Sequence, residues 1–257
     1  MAQPIFRFAP SPNGRLHLGH AYSALLNERM AKEADGKLLL RIEDTDQTRC
    51  KPEFVTACVD DLRWLGMSFE PNIRIQSEHF ADYEAALARL WRMEAVYPCF
   101  CSRKQAEVQA RPERDPDGQP HYGGTCRGLS RGDAEALIVS GAQHGWRLKT
   151  EASPAAGWGD VIIAKRHVGS SYHIAVVVDD ALQGVTHVVR GQDLEQATTI
   201  HERLQTLLGL PKPRYAHHPL IRHETGRKLA KSAGDTSLAE LRTAGMTPGQ
   251  IRAELGF

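Results

Sequence analysis

The spacing of apolar residues predicts that the chain opens with a strand, a loop, a helix and a second strand. Residues 5–8 form a short apolar run, which the prolines and Gly14 that follow interrupt. From about Leu18 apolar residues recur every three or four positions, which indicates a helix that ends at Gly36. Residues 38–42 are dense in apolar side chains, as is typical of a strand buried on both faces.

The same alternation continues along the rest of the chain. Amphipathic patterns predict further helices at about 52–65, 78–93, 133–139 and 194–208. Continuous apolar runs predict strands at 175–178 and 185–189. Two short helices are expected near the C-terminal end, because Ser237 and Thr247 are good N-caps and Pro248 suits a first helical position. Alternating strands and helices predict an α/β fold with a mostly parallel sheet and helices on both faces.

The stretch from about residue 97 to 156 has a different composition. It contains three of the five cysteines and a polar tract rich in proline and glycine at 111–124. We interpret it as an insertion in the α/β core. The predicted organisation is a first half of the core at 1–98, an insertion at 99–167 and a second half of the core at 168–257.

Composition limits the classes of function. The chain has 257 residues, 41% of them apolar, and a net charge of +1, so RNA binding would depend on a local patch such as the basic stretch 212–231. No apolar run approaches the ~18–20 residues that span a bilayer, and the first residues lack the layout of a secretory signal. We therefore expect a cytoplasmic protein with reduced cysteines.

The first motif with chemical meaning is the run of residues 17–20, in which His17 and His20 flank Gly19. It lies at the turn from the first predicted strand into the first helix, where free backbone N–H groups and the helix dipole favour phosphates. The histidines add side-chain donors there, and Gly19 lets a ligand approach the backbone. An isolated motif of this kind is more often a pair of surface histidines.

The second motif is the basic run of residues 227–232, which contains Lys228 and Lys231. Two lysines on a mobile loop can close over a triphosphate and neutralise charge as pyrophosphate leaves. Taken alone, such a run is more often a solvated basic loop.

Together and in this order, the two motifs resemble the signatures of class I aminoacyl-tRNA synthetases, and residues 7–14, 40–46 and 188–194 resemble the glutamyl group of that family. The resemblance covers nearly the whole chain and implies a Rossmann-type core. It also implies ATP binding by His17, Gly19, His20 and Lys231, and catalysis by the two histidines with Lys228 and Lys231. The sequence departs from the family at Ala230, where the usual residue is serine, but both lysines remain.

The resemblance is best with the glutamyl-Q tRNA(Asp) synthetases, shortened paralogues that lack an anticodon-binding domain. It implies activation of L-glutamate by ATP with Mg²⁺, and transfer of glutamate to the queuosine base at the wobble position of tRNA(Asp). A monomer is expected. Two alternatives stay open: an enzyme that charges a tRNA 3′ end, and a non-catalytic RNA-binding module.

Candidate residues for glutamate follow from its charges. A carboxylate side chain suits the two-donor fork of arginine, and Arg7 and Arg190 lie at the ends of predicted core strands, where α/β sheets bind ligands. Glu43, after the second strand, can accept from the ammonium group. The resemblance gives these residues the same roles and adds three more glutamate-binding positions: Ala9, Ser11 and Tyr172. Taken singly, each charged residue is more often part of a surface pair.

Cys99, Cys101 and Cys126 form a third candidate site. Three thiolates within 28 residues suit a structural Zn²⁺, which takes four ligands in a tetrahedron. On chemistry alone the fourth ligand would be His121, whereas the resemblance implies Tyr122. Three thiols without metal are the alternative interpretation. The other two cysteines, Cys50 and Cys58, are expected to be core or surface thiols.

Overall fold

The structure, a computed structural model, describes residues 3–221 and 236–257. Contacts divide the chain into two compact units. The first contains residues 1–78, 183–195 and 213–257, and the second contains 79–182 and 196–212. This grouping does not test the predicted boundaries at residues 98 and 167, which stay a prediction.

The secondary structure follows the expected alternation through most of the described residues. The strands are β1 (Ile5–Phe8), β2 (Lys37–Ile42), β3 (Arg74–Ile75), β4 (Val96–Cys99), β5 (Gly145–Leu148), β6 (Ile162–Ala164), β7 (His187–Gly191) and β8 (Arg214–His218). The α-helices are α1 (Leu18–Glu33), α2 (Pro52–Trp64), α3 (Phe80–Arg92), α4 (Arg103–Val108), α5 (Arg131–Val139), α6 (Tyr172–Leu182), α7 (Thr198–Leu208), α8 (Leu238–Thr243) and α9 (Pro248–Glu254).

A five-stranded sheet organises the first unit. Its order is β3-β2-β1-β7-β8, and every neighbouring pair is parallel. The predicted parallel sheet is therefore confirmed. Because all the strands run in one direction, their carboxyl ends share one edge of the sheet, the edge at which open α/β sheets bind ligands.

Buried apolar side chains hold α1 and the C-terminal helices against this sheet. Phe6, Leu25, Leu40 and Leu238 belong to one buried cluster. The two short C-terminal helices begin where the sequence predicted. Their N-caps, Ser237 and Thr247, each form a capping box, which satisfies backbone N–H groups that a helix start leaves without partners.

The second unit contains an antiparallel sheet of order β4-β5-β6, which sequence reasoning missed. These strands have only three or four residues each and mix polar with apolar side chains, so their periodicity is weak. Helices α3, α6 and α7 pack with this sheet around a second buried cluster.

The predicted strand at 175–178 is wrong, because these residues lie inside helix α6. A short apolar run rich in valine is typical of a buried strand, but a helix buried on several sides has the same composition. Ile174, Val176 and Val177 are all at most 1% exposed. The apolar environment therefore outweighs the β propensity of the valines.

Within residues 3–221 and 236–257, no helix combines the length and the apolar character needed to cross a membrane.

Candidate active site

Three charged side chains come from neighbouring strands at the carboxyl edge of the parallel sheet. Arg7 lies in β1 and Arg190 in β7, and they are 4% and 5% exposed. Glu43 directly follows β2, and its side chain is 9% exposed. Since β2, β1 and β7 are adjacent and adjacent strands lie ~4.8 Å apart, the fold brings these three residues to one region of the first unit.

The loop after β1 is fastened to the residue after β2. The Glu43 N–H donates to the Pro10 carbonyl at 3.0 Å. Ser11 Oγ lies 3.7 Å from Cys50 Sγ, and the Cys50 thiol also contacts the Glu43 carbonyl at 3.9 Å. Burial raises the pKa of this thiol. Cys50 is thus a packing thiol beside the predicted site, and Ala9 and Ser11 lie on the segment that these contacts hold.

Arg190 is oriented by groups around it. Its Nε donates to His217 Nε2 at 3.4 Å, one of its Nη atoms donates to the Leu194 carbonyl at 3.1 Å, and its guanidinium lies 5.2 Å from the centre of the Tyr215 ring. His217 is its register partner on β8. Burial, followed by the charge of Arg190, lowers the pKa of His217. A neutral imidazole can accept from arginine, whereas a protonated one cannot.

The two histidines of the first motif cap helix α1. His17 Nδ1 accepts from the Gly19 N–H at 3.1 Å, and His20 Nδ1 accepts from the His17 N–H at 3.1 Å. Because Nδ1 is the acceptor in both rings, the neutral form of each ring carries its proton on Nε2. Each imidazole is therefore an N–H donor at a helix N-terminus, as a phosphate ligand requires.

Gly19 has a steric role within this arrangement. A Cβ at this position would lie 3.0 Å from the His17 ring, which is 8% exposed. The missing side chain therefore leaves space for the capping imidazole. The predicted close approach of ATP at Gly19 stays a prediction.

Three further residues complete the predicted active site. Lys228 and Lys231 lie outside the described residues. Tyr172 begins α6 in the second unit, where its ring contacts those of His173 and His201 at centroid distances of 5.7 and 5.5 Å. The glutamate-binding role of Tyr172 stays a prediction.

The three cysteines of the predicted zinc site come together in the second unit. Their Sγ atoms all lie within 4.8 Å of one another, and Cys101 Sγ is 3.5 Å from Cys126 Sγ. Two thiolates bound to one tetrahedral Zn²⁺ at ~2.3 Å would lie about 3.8 Å apart, so this spacing fits the ion. Cys58 lies in α2 of the first unit, and the described residues give no other cluster of this kind.

Geometry distinguishes the two candidates for the fourth ligand. The Tyr122 hydroxyl is 3.2 Å from Cys101 Sγ and accepts from the Cys126 N–H at 3.0 Å. The His121 ring instead contacts the Gly157 carbonyl through Nε2 at 3.0 Å. Tyr122 therefore lies with the sulfurs, and His121 engages a different partner.

Burial and hydrogen bonding act in opposite directions on these groups. Burial raises the pKa values of Cys101 and Tyr122. Burial also opposes ionisation of Cys126, but hydrogen bonds from Tyr122, from the Phe100 N–H and from Cys101 lower its pKa on balance. Three sulfurs and a phenolic oxygen supply the four donors that a tetrahedral Zn²⁺ site needs.

A parallel α/β sheet with polar residues at its carboxyl edge and a histidine-capped first helix defines an enzyme core of the class I synthetase type. Residues 5–255 match the family model of class I tRNA synthetases (E and Q), catalytic domain. The chain belongs to this family and is an ATP-dependent ligase.

Two known relatives are similar to this chain over nearly its whole length. The glutamyl-Q tRNA(Asp) synthetase of Rhodobacter capsulatus is 44% identical over 98% of this chain and 100% of its own length. That of Symbiobacterium thermophilum is 36% identical over 98% of this chain and 85% of its own length. The resemblance predicted from the motifs is confirmed.

A solved glutamate-tRNA synthetase from Elizabethkingia anophelis has the same fold, with a TM-score of 0.77 at 24% identity. The match covers 91% of this chain and 54% of that one, so this chain spans about half of its length.

Sequence reasoning missed two residues that contact the candidate site. Arg41 in β2 donates to Glu43 and to Gln183. A charged residue inside the apolar run of β2 was the available signal for Arg41. Gln183 carried no signal, because its contact spans 142 residues of sequence.

Proposed function

We propose that the protein activates L-glutamate with ATP and transfers the glutamyl group to the queuosine base at the wobble position of tRNA(Asp). The observation that carries the proposal is the convergence of two buried arginines and one carboxylate at the carboxyl edge of the sheet, in a chain of the glutamate and glutamine branch of the class I synthetases. The ammonium group and the side-chain carboxylate of glutamate then each have a partner of opposite charge.

Glutamate recognition divides among these residues. Arg7 and Arg190 bind the side-chain carboxylate, since a planar guanidinium offers two parallel donors to it. Glu43 accepts from the ammonium group, with help from Ser11. Tyr172 donates a hydrogen bond to glutamate from its hydroxyl group, and Ala9 lines the glutamate-binding pocket. The fixed orientation of Arg190 supports this assignment, because a preorganised donor loses little entropy when it binds a ligand.

Adenylation needs alignment and charge stabilisation rather than a covalent nucleophile. The α-carboxylate of glutamate attacks the α-phosphorus of ATP in line, and pyrophosphate leaves. His17 and His20 bind phosphate oxygens through Nε2–H, next to the N-terminus of α1. Lys231, with Lys228, stabilises the charge on the departing pyrophosphate.

Two metal ions belong to the proposal. Mg²⁺ arrives with ATP and neutralises phosphate charge, bound mainly by phosphate oxygens and water. Zn²⁺, held by Cys99, Cys101, Tyr122 and Cys126, would cross-link β4 to the loop that carries the last two ligands. A structural ion of this kind stabilises the fold and takes no part in the reaction.

ATP–pyrophosphate exchange driven by glutamate, with no RNA added, tests the activation step. Glutamine and aspartate are the controls, and we expect exchange with glutamate alone. No exchange until tRNA is supplied would instead favour a glutamyl-tRNA synthetase-like enzyme, and none under any condition would favour a binding module.

The acceptor is tested with labelled glutamate and three forms of tRNA(Asp). We expect transfer to tRNA that carries queuosine and none to the same tRNA with guanosine at the wobble position. Queuosine-containing tRNA that lacks its 3′-terminal adenosine should still accept glutamate. Loss of transfer on that trimmed tRNA would assign the reaction to the 3′ end. The predicted monomer and cytoplasmic location complete the proposal, and sedimentation analysis tests the first.

A further inference from the structure

A fully buried arginine lies near the carboxyl end of β2, the second strand of the parallel sheet. Arg41 is 0% exposed and belongs to β2, which pairs with β1 on one side and β3 on the other. The guanidinium group stays protonated throughout the physiological pH range. Its burial therefore requires an opposite charge and hydrogen-bond acceptors nearby.

Arg41 finds both within the first unit. One Nη atom donates to Glu43 Oε1 at 3.3 Å, and the other donates to Gln183 Oε1 at 3.0 Å. Glu43 directly follows β2, two positions after Arg41, so the two partners are neighbours in the sequence as well. Because the arginine keeps its charge, its hydrogen bond to Glu43 restricts where Oε1 can lie.

We propose that Arg41 is a positioning residue for recognition of the substrate ammonium group. It keeps the Glu43 carboxylate oriented, and Gln183 holds the other Nη atom of the guanidinium. Arg41 itself does not touch the substrate. This inference rests on the proposed function, in which Glu43 accepts from the ammonium group of glutamate.

A purely structural ion pair is the competing explanation, and the chain supplies a matched example. Arg252 donates to Glu28 Oε2 at 3.1 Å and to the Leu65 carbonyl at 3.1 Å, also within the first unit. The Glu28 side chain is 8% exposed, close to the 9% of Glu43. The Arg252 side chain is 27% exposed and Glu28 also pairs with Lys32, so replacing Arg252 reports what the loss of one contact to a buried carboxylate does to folding.

The test compares substrate binding with and without an ammonium group. Arg41→Gln, Glu43→Gln, Gln183→Ala and Arg252→Gln are assayed for the KM and kcat of L-glutamate in ATP–pyrophosphate exchange, and for competitive binding of glutarate, which lacks the amino group. We expect Arg41→Gln to raise the KM of glutamate about 10- to 100-fold, the effect of losing a charged hydrogen bond, with a smaller change in kcat. Glutarate binding should change little.

Three further readouts separate positioning from stability. Arg41→Lys should bind glutamate more tightly than Arg41→Gln does but less tightly than the parent protein, because lysine keeps the positive charge and lacks the planar pair of donors. The double variant Arg41→Gln with Glu43→Gln should have the same KM of glutamate as Glu43→Gln alone, since both changes act through one carboxylate. Gln183→Ala, which keeps both charges, should raise the KM less than Arg41→Gln does, and it serves as the test if Arg41→Gln does not fold.

Distinct outcomes would overturn the inference. If Arg41→Gln weakens glutamate and glutarate equally, or lowers only the melting temperature as Arg252→Gln does, Arg41 is structural. If Glu43→Gln raises the KM but neither Arg41→Gln nor Gln183→Ala does, the Arg41 inference fails while the proposed function stands. If Glu43→Gln leaves the KM unchanged, the proposed role of Glu43 fails and the inference falls with it.

Discussion

His17 and Ser237 form an antiparallel β-bridge, and the Leu238 N–H donates to the Leu16 carbonyl at 2.8 Å beside it. The first signature motif is thus fastened to Ser237, which lies six positions after Lys231 in the sequence. A change at Ser237 can therefore affect the histidines of the proposed ATP site.

Lys231→Ala should reduce glutamate-dependent ATP–pyrophosphate exchange about 10²- to 10³-fold, the usual cost of removing one donor to transition-state charge. The melting temperature should not change. Lys104→Ala, at an exposed position of α4 in the second unit, is the matched control and should keep full activity. Near-normal exchange in Lys231→Ala would remove this residue from the mechanism.

Ser237→Ala should lower the free energy of unfolding by about 0.5–2 kcal/mol, because Ser237 Oγ accepts from the Glu240 N–H at the start of α8. Thermal or urea unfolding measures this loss. Thr247→Ala removes the equivalent cap of α9 and should cost a similar amount. Only Ser237→Ala should also slow exchange, since Ser237 lies against His17; equal activity in the two variants would mean that the bridge does not affect the ATP site.

Tyr122→Phe should weaken zinc binding by about 100-fold or more, because the change of an outer-shell partner already costs about 10- to 100-fold. The reason is the position of its hydroxyl, 3.2 Å from Cys101 Sγ. His121→Ala should bind one zinc per chain with unchanged affinity, because that ring contacts the Gly157 carbonyl. Competition with a chelator, followed by elemental analysis, measures both. The reverse order of affinities would make His121 the ligand.

Local signals predicted much of the fold and site. Strand β1, helix α1 and strand β2 followed from periodicity and from breakers within the first 42 residues, and that stretch also contains the histidine motif. The C-terminal helices followed from Ser237 and Thr247 as N-caps. In each case the information lay within a few neighbouring positions, where capping and side-chain periodicity act.

Tertiary contacts account for what the sequence could not predict. The valine-rich segment of α6 is helical because it packs among α3 and α7. The helix propensities of its own residues give no information about these long-range contacts. Residue chemistry alone favoured His121 over Tyr122 as the fourth ligand, and the contact of His121 with Gly157, more than thirty residues away in sequence, carried no local signal. The contacts of Arg41 with Gln183 and of Arg190 with His217 likewise join distant parts of the chain.

The pairing of Arg190 with His217 predicts a pH dependence of glutamate binding. Burial and then the Arg190 charge lower the pKa of His217 below its unfolded value of about 6.5. The contribution of neutral His217 to the free energy of unfolding is therefore complete above about pH 6.5, and it is lost as the pH falls through the lower pKa of the folded state. Protonation also removes the acceptor for Arg190 Nε, so the KM of glutamate should rise over the same range.

His217→Gln provides an acceptor that does not titrate, so the rise of KM between about pH 7.5 and 5.5 should be smaller in this variant. His187 is the matched control, because burial and then Arg214 lower its pKa as well, and its ring stacks on Phe6 at 4.6 Å. His187→Gln should change the pH dependence of unfolding and leave that of KM intact. Equal KM profiles in the parent and His217→Gln would mean that Arg190 binds glutamate without regard to the charge on His217.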